Sequence, residues 1–168
     1  MKIAFHTQFV ENYGTTDEPR LKFKGGDTYV VENVKDSDLN TEFYDKYTKL
    51  LEWGEAVDSN ERIINIEKLD DDTRPQMEEW EFPYILDEHK NGWTVHQVRE
   101  PLEDGYEPWA KDGVVALHKT WEISKEGVQI EGSFKEHLWN DKELTDFKNS
   151  QKEDKALHKT RKASIPKI

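Results

Sequence analysis

The sequence has no cysteine, which excludes disulfides, thiolate metal sites and a cysteine nucleophile together and suits a reducing compartment. It is also poor in aliphatic residues. Leu, Ile, Val and Phe number 37 of 168, about 22%, close to the ~20% at which chains stop folding. No apolar run approaches the ~18 residues that cross a bilayer, and "MKIAFHTQF" lacks the basic-then-apolar order of a signal peptide. A cytosolic protein is expected. Gly-x-Ser-x-Gly, His-Glu-x-x-His and the Rossmann glycine pattern are all missing, so no common catalytic or cofactor motif is present and no cofactor or metal is expected.

What the chain does have is aromatics and acid. Six Trp, six Tyr and seven Phe can build a core from few positions, so 168 residues suffice for one folded domain. The net charge of −12 is uneven: residues 145–168 hold seven Lys/Arg against three Asp/Glu, so residues 1–144 carry −16. Such a body repels nucleic acid and membranes and attracts basic proteins. Residues 1–150 are expected to form the domain and 151–168 a basic, mobile tail, since no apolar periodicity extends beyond Ser150.

Hydrophobic alternation predicts about eight strands. The first covers 2–9, with Ile3, Phe5 and Phe9 on one face. Leu21–Lys24 and Thr28–Val34 flank a reversal at Gly25-Gly26, and 61–68 follow. Trp80, Phe82, Tyr84 and Leu86 share a face before a hairpin at Asn91-Gly92, with Pro83 marking an edge or bulge. Leu117, Trp121 and Ile123 alternate with His118 and Thr120, and Val128, Ile130 and Phe134 return after a turn near Gly127. Ser37 is read as the N-cap of a helix over 38–53 carrying Leu39, Phe43, Tyr47, Leu50 and Leu51. Asn140 with Glu143 suggests a capping box for a weaker C-terminal helix with Leu144 and Phe147. The fold class is α+β: a largely antiparallel sheet with the firm helix packed on one face.

Candidate chemistry is sparse. "KFKGG" is followed by a strand, whereas a phosphate loop needs a helix N-terminus there, so it reads as a turn. "ALHKT" occurs at 116–120 and 156–160, and paired His-x-Thr motifs resemble those of two-histidine phosphoesterases. That resemblance implies a metal-independent site using His118 and Thr120, with His6 as another candidate partner; the second copy lacks strand flanks. The acidic clusters Asp70-Asp71-Asp72, Glu78-Glu79 and Glu103-Asp104, like Asp87-Glu88, lack the register of a calcium loop and read as solvated loops. The first three are the surfaces expected to meet a basic partner.

A wider resemblance rests on "TQFVENYG" (7–14) and "LKFKGGDTYVVENV" (21–34). The chain resembles small tailed-phage accessory proteins with a Thr-Gln-Phe/Glu-Asn-Tyr opening and a Lys-Gly-Gly strand after it. The resemblance implies a product of the bacterial host cytoplasm that binds and inhibits a host enzyme or defence complex. It implies no catalytic residues.

Overall fold

The structure, a computed structural model, describes residues 1–52, 59–77, 82–101 and 107–150. The 151–168 segment and Trp80 lie outside them. One sheet of eight strands organises the chain. In chain order these are β1 (Lys2–Asn12), β2 (Leu21–Lys24), β3 (Thr28–Val31), α1 (Thr41–Leu51), β4 (Ser59–Leu69), β5 (Tyr84–His89), β6 (Gly92–Arg99), β7 (Ala116–Ser124), β8 (Lys135–Trp139) and α2 (Asp141–Lys148). Every pairing is antiparallel except β3 with β5. The fold is therefore α+β. Among the described residues no helix is long and apolar enough to cross a membrane.

β1 is the hub. One of its edges pairs with β4 over nearly its whole length; the other pairs with β3 near its start and β2 near its end. β2 and β3 consequently run in line, and Gly25-Gly26 is a bulge between them where a hairpin reversal is expected from sequence. A Cβ on Gly26, at φ +153°, would lie 1.9 Å from the Thr7 carbonyl oxygen. The glycine is needed because two backbones meet there.

α1 covers one face of the sheet. Phe43, Tyr47 and Leu51, spaced four apart, pack on Ile3, Phe5, Leu86, Trp93 and Val95. Tyr47 is fully buried, stacks on Phe5 at 5.3 Å, and receives the Trp93 Nε1–H bond at 3.2 Å. Burial pushes its phenol up to about 12. The N-cap is Asn40, whose Oδ1 accepts from the Phe43 N–H at 2.8 Å; Ser37 lies in a single 3-10 turn just before it, so the helix starts three residues later than the spacing suggests.

α2 packs on the opposite face. Leu144 and Phe147 meet Val98, Ala116 and Trp139, and the Asn140/Glu143 capping box is formed as expected. Phe82 also joins this cluster, 5.2 Å from Phe147, while Tyr84 and Leu86 face α1. The alternation breaks at Pro83, which precedes β5. The β5–β6 hairpin turns at Lys90-Asn91, since His89 pairs with Gly92, and Asn91 keeps a negative φ. A turn does form before Gly127, but Val128, Ile130 and Phe134 stay exposed and β8 begins only at Lys135.

Two substitutions probe these assignments. Asn40→Ala should cost about 1 kcal/mol by leaving a helix N–H without its cap. Gly26→Ala should cost more, of order 1–3 kcal/mol, through strain at a positive φ and the clash with β1. Urea unfolding that finds Gly26→Ala neutral would contradict the bulge geometry.

Candidate functional site

Directly opposed residues on neighbouring strands share a face, so register decides which polar side chains meet. On the α2 face, β6–β7 pairing sets Val98 opposite His118 and His96 opposite Thr120; β7–β8 pairing sets His137 opposite His118. Three histidines from three strands thus form one row. His96 Nδ1 lies 3.0 Å from His118 Nε2, with ring centroids 5.2 Å apart and planes within 2°. These values require two coplanar imidazoles joined head to head, because face-to-face stacking would bring the centroids much closer. Only one proton fits between the two nitrogens, so one ring donates and the other accepts.

On its other sides His118 meets the Trp139 ring at 4.8 Å and the His137 ring at 5.5 Å. Burial first, then His96 and His137, push the His118 imidazole down to about 4, while Glu143 of α2 acts the other way. His118 is therefore neutral at physiological pH. His96 Nε2 stands 3.9 Å from the Asp87 carboxylate on β5.

The row borders a cleft of about 920 Å³, which opens where β3 ends at Val31 while β5 continues to His89. Its rim carries five carboxylates, Glu32, Asp38, Glu42, Asp87 and Glu88, against one ammonium, Lys46. Phe43, Tyr47, Trp139 and Phe147 supply its aromatic surface. Glu88 holds Lys46 at 2.8 and 3.1 Å, and the same ammonium lies 5.1 Å from the Tyr47 ring centre. A cation between carboxylate and aromatic ring is thus already accommodated at this rim.

Of the residues singled out from sequence, His118 and Thr120 share the histidine face, two positions apart. His6 does not join them. It lies on β1 with β3, β5 and β6 between, its Nδ1 2.9 Å from Thr28 Oγ1 and its Nε2 bonded to Glu67. Asp70–Asp72 follow β4, and Asp71 pairs with the Met1 ammonium at 3.2 Å, beside the Met1–Val34 contact that leads to the cleft. Glu78, Glu79, Glu103 and Asp104 lie outside the described residues, as does the second ALHKT copy. Sequence reasoning missed His96 and His137 because their meeting depends on register, and it read Asp87-Glu88 as a solvated loop, whereas both lie on β5. The available signal was the short β5–β6 turn, which sets which residues of those strands oppose one another. Among the described residues no group of three or more His, Asp or Glu is arranged to hold a metal ion.

The histidine row carries a pH signature. His118 binds its proton more weakly in the folded chain, at about 4, than at its ordinary 6.5 in the unfolded one. Its contribution to stability is fully present above 6.5 and is lost as pH falls from 6.5 toward 4. Urea midpoints should fall across that window in the wild type and fall less in His118→Gln; parallel curves would show that His118 is not the group responsible. Comparison with family models, curated proteins and solved structures finds no match to this chain, so its chemistry is read from its own side chains.

Proposed function

We propose that the protein acts by stoichiometric binding, its acidic cleft receiving Lys or Arg side chains from a basic macromolecular surface. The observation that carries this reading is the cleft rim itself: five carboxylates against one ammonium, beside aromatic walls, with Lys46 already making the cation–carboxylate–ring contact a partner would make. Asp71, beside Met1 and Val34, extends the acidic surface beyond the rim. In the setting that the N-terminal resemblance implies, the protein works in the bacterial host cytoplasm. Its partner there is a host protein whose basic groove ordinarily holds nucleic acid, so that binding inhibits it.

A second reading draws on the His96–His118 bond. Two histidines on one face of a cleft can exchange a proton, as a metal-independent phosphoesterase using His118 and Thr120 would need. A phosphodiester requires its acid and base on either side of the phosphate, however, and these imidazoles are bonded to each other. The binding reading is the better supported.

Oligolysine binding, followed by tryptophan fluorescence, separates the two. Affinity should fall as salt rises, because the screening length shrinks from ~10 Å at 0.1 M to ~3 Å at 1 M. A Glu32→Gln, Glu42→Gln, Asp87→Asn variant should bind at least ~10-fold more weakly, the size of a 1.4 kcal/mol loss, while His118→Gln should bind as wild type. If only the Asp70→Asn, Asp71→Asn, Asp72→Asn variant loses affinity, the contact is that turn and the cleft assignment fails. Phosphodiester turnover lost in His118→Gln would favour the second reading.

A further inference from the structure

A different polar row remains on β1, β3 and β4. Thr28 pairs directly with His6, and its Oγ1 is 2.9 Å from His6 Nδ1. His6 Nε2 bonds the carboxylate of Glu67, which also accepts the Gln76 backbone N–H at 3.1 Å. A hydroxyl, an imidazole and an anchored carboxylate thus stand in line. We infer that Thr28, His6 and Glu67 form an acyl-accepting site in which Thr28 is the nucleophile, His6 the general base and Glu67 a positioning residue, and that its substrate is a small ester. This activity is independent of the binding cleft.

The chemistry follows from which nitrogen holds the proton. With a carboxylate at Nε2 the imidazole proton stays there, which leaves the Nδ1 lone pair facing the Thr28 hydroxyl. The side chains of His6 and Glu67 are 12% and 22% exposed, so their interaction is only partly screened by water. Thr28 and His6 nevertheless border an open cleft of about 580 Å³, together with Gly25, Gly26 and Gln76. The glycines are exposed, and among the described residues no hydrogen bond occupies their N–H groups, so these are the donors available to a developing oxyanion. The segment that makes no phosphate loop instead brings a nucleophile and two backbone donors to one cleft.

In the first step Thr28 Oγ1 bonds to the ester carbonyl carbon while its proton passes to His6 Nδ1. The tetrahedral adduct collapses with cleavage of the ester C–O bond, and the leaving alkoxide takes that proton. Water, deprotonated by His6, then attacks the acyl-threonine and releases the acid, returning the proton to Thr28. The net change is hydrolysis of one ester.

The test treats the full chain with 4-nitrophenyl acetate and maps acetylation by peptide mass spectrometry. Hydroxylamine distinguishes a labile threonine ester from stable lysine amides. The expected result is a burst of nitrophenolate with an ester on Thr28. Thr28→Ser should keep the burst, isosteric Thr28→Val should abolish it, and His6→Gln should slow it on the order of 10²-fold, the general-base contribution. Glu67→Gln should slow it too, with partial recovery in Glu67→Asp, a rescue that a merely structural carboxylate would not give. Wild-type protein acetylated only on amines, or a His6→Gln variant that keeps its fold by circular dichroism and its full burst rate, overturns the inference.

Discussion

Two-sided pairing of β1 is the constraint on which the rest of the structure depends. Because one edge meets β4 and the other meets both β3 and β2, the first strand of the chain lies inside the sheet. Ile3 and Phe5 on it are fully buried and give α1 its floor. Its opposite side carries His6 to Thr28 and Glu67. A chain poor in aliphatic residues can support this centre because Tyr47, Phe43, Phe5 and Trp93 fill it with rings, and the one hydroxyl among them is engaged by the Trp93 N–H. Burying such rings removes large apolar areas at few sequence positions.

The two polar rows show how a sheet assembles chemistry. Neither uses neighbouring residues: His6 and Glu67 are 61 apart in sequence, and His96 and His118 are 22 apart. In both, the geometry comes from strands held side by side, which is more exact than a loop can provide. The outcomes differ. On the α2 face the imidazoles bond to one another beneath Trp139 and one is held neutral, whereas on β1 the imidazole lies between a carboxylate and a hydroxyl.

Local signals were legible in the sequence, and distant ones were not. The Asn140/Glu143 capping box was readable because all its partners lie within one turn. The N-cap of α1 was misplaced because Leu39 fits the apolar spacing although Asn40 makes the bond. Gly25-Gly26 marks a break between two strands, but such glycines serve bulges as well as hairpins, and only the pairing of β2 and β3 with β1 tells them apart. Alternation failed at Phe82 because Pro83 interrupts the strand period. His96 as the partner of His118, and Glu67 as that of His6, required cross-strand register, which no single segment encodes.

β1's place in the sheet also sets an order of events in synthesis. The strand leaves the ribosome well before its longest partner, β4, which begins only at Ser59, so the backbone groups along that edge wait for residues far downstream. β5, β6, β7 and β8 instead pair each with the next as a meander whose contacts close locally. Non-local closure is the slower process. The nascent chain therefore carries an apolar strand with one edge unpaired until β4 arrives, and this interval is where chaperone capture or aggregation of Ile3, Phe5 and Val10 would compete with folding.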